Sequence, residues 1–173
     1  MFERGMIALL AAALLSGCVS DRVGFDYAAV IQKVGPPKPG QSRIVLISEK
    51  ASGLDSAVCD VKVDGGAESR LRPGTYVYVD RPAGRHEIMA TQTLFPGTTR
   101  RDIATQSGRT YFFLARNSER SRAITGVTIF GWLAGAVVAS AVTSGSENPG
   151  PVDLFPLEEA AARTTLAELQ LAE

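Results

Sequence analysis

This 173-residue chain predicts a mainly β fold: an antiparallel β-sandwich of six to seven strands, with a short C-terminal helix and an apolar insertion. Three observations carry the prediction. Short runs of alternating or β-branched residues recur between Ser42 and Ala115, and turns bearing Gly or Pro separate them. Nothing between them has the length of the crossover helices that a parallel sheet needs. The length suits one domain around one core. With 18 basic and 18 acidic side chains the net charge is zero, so the clustered cation footprint of a nucleic-acid binder is missing, and 45% apolar residues argue against low-complexity disorder.

The first segment, 1–17, reads as a signal peptide. Arg4 and the α-amino group precede an unbroken apolar run from Met6 to Leu15, followed by the small residues Ser16 and Gly17 and then Cys18. A bilayer-spanning helix takes about 20 apolar residues, so this run is a targeting segment and not an anchor helix. Leu15-Ser16-Gly17-Cys18 resembles a bacterial lipobox at all four positions. That resemblance implies cleavage between Gly17 and Cys18, a diacylglyceryl group on the Cys18 thiol, and a mature chain beginning at Cys18. Several acyl chains on one residue hold a protein on a membrane far more firmly than one chain does. No aspartate follows Cys18, where Val19 and Ser20 stand, and by resemblance to lipoprotein sorting this favours the periplasmic face of the outer membrane over inner-membrane retention.

Residues 18–41 read as the lipidated N-terminus and a tether, ending in the stiff stretch Gly35-Pro36-Pro37-Lys38-Pro39-Gly40. Within it Tyr27, Val30, Ile31 and Val34 have helical spacing. The domain is expected over 42–173. Its first strand holds Ile44-Val45-Leu46-Ile47, a β-branched run suited to cover on both faces. Ala57 to Val63 follows, with Cys59, Val61 and Val63 on one face, and Asp64-Gly65-Gly66 turns it into a hairpin. With Cys18 taken by lipid, Cys59 has no intrachain partner and reads as a buried small hydrophobe. Thr75 to Asp80 alternates aromatic and β-branched residues after Arg72-Pro73-Gly74. Arg85 to Leu94 puts His86, Ile88 and Ala90 on one face, and Phe95-Pro96-Gly97 is expected to end it. Arg101 to Gln106 and Arg109 to Ala115 complete the strands. Pro156 at a first-turn position, Glu158 and Glu159 beside the positive helix end, and Ala162, Leu166 and Leu169 at helical spacing predict the terminal helix.

Val63-Asp64-Gly65, Gly74-Thr75-Tyr76, Pro82-Ala83-Gly84-Arg85-His86-Glu87-Ile88, Ser107-Gly108-Arg109-Thr110-Tyr111-Phe112, and Phe155 with Glu159-Ala160 come in that order after the lipobox. Together they resemble the bacterial lipoprotein domain of unknown function DUF2846, over roughly Ser42 to Leu169. The strand-Asp-Gly and Pro-x-Gly-x-His pattern is also similar to small PEGA-type β-sandwich modules. These motifs are mostly turn chemistry, so the resemblance implies an architecture and an address, and it brings no catalytic residue with it.

The insertion 123–146 departs from that pattern. Ala123 to Ser146 contains no charged residue, and it carries Gly131 and Gly135 with Ala139 and Thr143 continuing the four-residue spacing of a close-packing stripe. Three readings stay open: a helix or hairpin lying against the domain or the membrane surface, self-association through the stripe, and a true span. Arg116, Arg120 and Arg122 before the segment and Glu147 after it run against the positive-inside rule for a span entered from the periplasm.

No catalytic, metal or cofactor constellation emerges. His86 is the only histidine and reads as a hydrogen-bonded turn residue; no zinc-ligand set, EF-hand spacing, nucleophile elbow or P-loop is present. Asp60, Asp64 and Asp80 are explained by strand alternation, Gly65-Gly66 by turn geometry, and the arginines from Arg116 to Arg122 by a solvated face. The expectation is a non-enzymatic, lipid-anchored envelope module whose partners are the membrane and an envelope protein or a second copy, and not nucleic acid. The alternative is a protein that inserts or self-associates through 124–142.

Overall fold

The computed structural model describes residues 26–50, 57–93, 95–123 and 150–172. The signal peptide, Gly17, Cys18 and the stripe residues Gly131, Gly135, Ala139 and Thr143 lie outside the described residues. Among the described residues two sheets and two complete helices build the domain, and residues 119–123 are also helical. Helix α1 (Tyr27–Val34) precedes strands β1 (Gln41–Ser48), β2 (Cys59–Val63), β3 (Ser69–Leu71), β4 (Thr75–Pro82), β5 (Arg85–Gln92), β6 (Phe95–Ala104), β7 (Thr110–Asn117) and β8 (Val152–Leu157). Helix α2 (Glu159–Leu166) and strand β9 (Gln170–Leu171) close the chain.

The central sheet has the order β8-β7-β1-β4-β9, and the outer sheet the order β3-β2-β5-β6. The fold is therefore mainly β, as predicted, and most pairs are antiparallel. Two pairs are parallel, β1 with β7 and β4 with β9. These two pairs depart from the otherwise antiparallel pattern, and the reason is topological. The long connection that a parallel pair needs is supplied by the outer sheet itself: the chain leaves the central sheet after β4, forms β5 and β6, and returns beside β1 as β7.

Nine strands are described where six or seven were expected. β3 and β9 are three and two residues long, too short for any alternation to register. Pro156 is the third difference. It does not open the helix but sits in β8 opposite Phe113, and β8 is an edge strand, where a missing N–H breaks no ladder bond. Helix α2 begins later, with Glu158 at its N-cap position but making no side-chain capping bond. Phe95-Pro96-Gly97, expected to be a turn, starts edge strand β6, and a register irregularity between Ala90 and Gln92 accommodates it.

Alternation divides the core into two layers. Ile44 and Leu46 of β1 face the outer sheet and pack with Val61, Leu71, Ile88 and Phe113. Val45 and Ile47 point the other way, to Tyr27 and Val30 of α1 and Ala162 and Leu166 of α2. This is why β1 is apolar on both faces and buried almost throughout. Helix α1 starts at Asp26, whose carboxylate accepts from the Ala29 N–H at 2.6 Å, and ends at Gly35 with φ 76°. Eight residues are too few for a helix to persist alone in water, so packing sustains it. The Tyr27 ring meets Tyr76 and Phe112 edge-on, with centroids 5.6 and 6.1 Å away. The segment read as tether thus contains a helix built into the second core layer.

Candidate functional site

Strand β4 sends Val77, Val79 and Arg81 toward the outer sheet, and Tyr76, Tyr78 and Asp80 toward the helices. Across from it β2 presents Val61 and Val63. Between the two sheets lies a mainly apolar slot of about 250 Å³, lined by Ile44, Leu46, Val61, Val63, Val77 and Val79, with Lys62, Ala67, Ser69, Tyr78 and Arg81 completing the lining. Ile44 and Leu46 are buried, whereas Val77 and Val79 retain some exposure beside the slot. Two other concavities are larger and carry more charged residues in their lining. One of about 510 Å³ lies over β5 and β6 beside Arg85, Glu87 and Asp102, and one of about 680 Å³ lies between α1, β7 and α2.

Arg81 reaches from the central sheet to the outer one. Its Nη1 donates to the Asp80 carbonyl and its Nη2 to the Val63 carbonyl, both at 3.3 Å, and its Nε stands 3.5 Å from an Asp64 carboxylate oxygen. Those distances are long for a guanidinium. Glycine at position 66 makes the position accessible, since a Cβ there would lie 2.6 Å from Arg81 Nη2 and 3.0 Å from the Val63 carbonyl oxygen.

Next to Arg81 is His86, buried at the start of β5. Its Nδ1 is 2.8 Å from Asp64 Oδ2 and its Nε2 is 2.8 Å from the Pro82 carbonyl oxygen. Both ring nitrogens face acceptors at hydrogen-bond distance, so the ring is held by the fold on both sides. Asp64 also accepts from the Glu87 N–H at 3.0 Å. Partial burial alone would raise the Asp64 carboxyl; the Glu87 amide, His86 and Arg81 outweigh that and hold it below the ordinary carboxylate range. Asp64 itself has φ 54°, and Gly65 follows at 65°, the paired positive values of a tight hairpin turn.

On the opposite face of the central sheet Arg43, only 1% exposed, holds Asp80 through Nε and Nη2 at 2.7 Å each. Its Nη1 donates to the Gly35 carbonyl at 2.8 Å, and its guanidinium lies 4.9 Å from the Tyr78 ring centroid. The hydrogen bonds to Asp80 are the chief reason that the Arg43 pKa is raised, against the opposing effect of burial. This ion pair ties the C-terminus of α1 to β1 and β4.

Cys59 is a free thiol in the inter-sheet core, where burial pushes its pKa up to about 12. Asp60 stands 3.6 Å from Arg70 on the outer face. Arg116 pairs with Glu49 at 2.9 Å, Arg122 with Glu119 at 3.9 Å, and Arg120 donates to the Pro96 carbonyl, so these arginines form a paired surface. Among the described residues no three His, Cys, Asp or Glu side chains gather in a metal-binding group, and no helix is long and apolar enough to cross a membrane.

Sequence reasoning placed His86 and Asp64 at turns but did not bring them together, and it passed over Arg43 and Arg81. The signal was faint: both arginines interrupt strands that are otherwise apolar or aromatic on the face concerned.

Two comparisons bear on this arrangement. The model of a protein family of unknown function, DUF2846, matches residues 38–128. That stretch contains β1 through β7, the slot, Arg81, Asp64 and His86, and it stops before β8 and α2, short of the Leu169 limit that the motifs suggested. No curated protein matches the chain.

Proposed function

Because the chain belongs to the DUF2846 family of unknown function, we propose that it acts as a lipid-anchored envelope protein whose sandwich is a non-catalytic binding or structural module, held on the periplasmic face of the outer membrane. The observation that carries this reading is the docking of α1. Cys18 precedes Tyr27 by nine residues, which span at most about 30 Å when fully extended. With Tyr27 and Val30 buried and Gly35 clamped by Arg43, a lipid on Cys18 keeps the domain within that distance of the membrane and holds it by its helical face.

The chemistry around the slot supports binding over turnover. The His86 ring spends both nitrogens on structure, and the Cys59 thiol is protonated in the core. A second reading, self-association or insertion through 124–142, rests on the Gly131, Gly135, Ala139 and Thr143 spacing.

Fractionation without detergent tests both. Cells carrying the full-length protein, Cys18→Ala, and a deletion of 125–144 are separated into membrane and soluble fractions and blotted. Release by Cys18→Ala alone is the expected result. Retention of Cys18→Ala until 125–144 is also removed would overturn the single anchor and put the second reading first.

A further inference from the structure

We infer that the slot between β4 and β2 is a binding site for a short unbranched acyl chain, with its anionic head on Arg81. The inference rests on reading the domain as a binding module, and is independent of the anchor on Cys18.

Shape and chemistry define the tail. Six of the lining side chains are branched aliphatics, and of the two cations that line the slot Lys62 is already paired with Glu68 at 2.9 Å. A volume of about 250 Å³ is room for about eight groups the size of a water molecule, at roughly 30 Å³ each. A methylene is of similar size, so an eight-carbon chain fits. β-Branched side chains from β1, β4 and β2 wall the slot on both sides, and a linear chain can lie along them.

The head is defined by Arg81. Arg43 and Arg81 differ sharply in how they are held: Arg43 makes three bonds of 2.7 to 2.8 Å, whereas the three contacts of Arg81 are all 3.3 Å or longer. Two of the three go to neutral backbone carbonyls. A planar guanidinium held this loosely at the rim of an apolar slot gains most from a carboxylate, which accepts two parallel N–H bonds at shorter distance. A neutral alcohol with the same tail lacks that gain. Swinging Arg81 toward a ligand costs little, because its side chain is 29% exposed and its one ion pair among the described residues is the 3.5 Å contact with Asp64.

The experiment titrates full-length Cys18→Ala protein, which carries no lipid of its own, with sodium octanoate and with 1-octanol in a calorimeter. Saturable one-to-one octanoate binding is expected, tighter than octanol. Arg81→Gln should weaken octanoate about tenfold or more and leave octanol unchanged, since a hydrogen bond to a charged group is lost. Ala67→Phe, which plugs the slot from an exposed turn, should weaken both, and Val79→Phe should do so from within. Circular dichroism and the thermal midpoint confirm folding of each variant. Should Val79→Phe not fold, Ala67→Phe decides the matter. Absence of saturable octanoate binding would overturn the site, as would undiminished binding in the plugged variants. Equal losses for octanoate and octanol in Arg81→Gln would overturn the assignment of the head. None of these outcomes depends on the fractionation result, so the anchor and the slot stand or fall separately.

Discussion

Replacing Asp80 with alanine removes the one carboxylate, among the described residues, that is bonded to a guanidinium only 1% exposed. Arg43 would keep the Gly35 carbonyl at 2.8 Å and the Tyr78 ring, but two bonds of 2.7 Å would disappear. Breaking a buried pair from one side costs about 3–5 kcal/mol. Asp80 is 25% exposed, so water can reach the vacated position. The lower end, about 3 kcal/mol, is therefore expected. For a chain of this size that lowers the thermal midpoint by about 6–12 °C. Urea unfolding followed by far-UV circular dichroism reads the loss, with an unchanged m-value showing that the unfolded state is the same. The double variant Arg43→Met/Asp80→Val should recover most of the stability, because an apolar pair of similar volume carries no stranded charge. It should not recover the attachment of α1, and hydrogen exchange at residues 30–35 should remain faster than in the parent. A loss below about 1 kcal/mol for Asp80→Ala would refute the reasoning, since it would mean that the guanidinium is already solvated.

Three further outcomes are expected. Asp64 is held below its ordinary value near 3.8 in the folded protein, so its contribution is complete above that value and disappears as the pH falls through the lower folded one. Urea midpoints of the parent should therefore fall more steeply than those of Asp64→Asn between about pH 5 and pH 2. A Cβ at Gly150 would run into the backbone of Thr99, so Gly150→Ala should destabilise by about 1–3 kcal/mol or more, measured by urea unfolding. In Cys18→Ala protein, the Cys59 thiol, pushed up to about 12, should react with a disulfide reagent at pH 8 only at the rate at which the core opens, and addition of urea should release it at once.

Local patterns survived into the fold, and long-range ones were invisible. The Cys59, Val61 and Val63 alternation, the double burial of Ile44 to Ile47 and the helical spacing from Tyr27 to Val34 each depend only on neighbours, and each is found. Pro156 misled because proline at a helix start and proline on a sheet edge look alike until the neighbouring strand is known. The parallel pairing of β1 with β7 joins residues more than sixty positions apart, with no signature in either strand. For the same reason Arg81 drew no notice in the sequence: its contacts follow from Val63 and Gly66 standing opposite, which the pairing of two sheets decides.

A strand covered on both faces has a problem of its own. Ile44, Val45, Leu46 and Ile47 are nearly interchangeable to an oily environment, so β1 could slide by one residue between β4 and β7 with little change in the apolar area it hides. The two polar residues ahead of the run remove that freedom. Ser42 donates to Thr105 at 2.8 Å on the outer-sheet side, while Arg43 meets Asp80 on the helix side. A slip of one residue would exchange them, driving a guanidinium between the sheets and leaving Asp80 facing a hydroxyl group. Ser42 and Arg43 thus act as an indexing pin: greasy residues give β1 its adhesion, and this polar pair gives it its address.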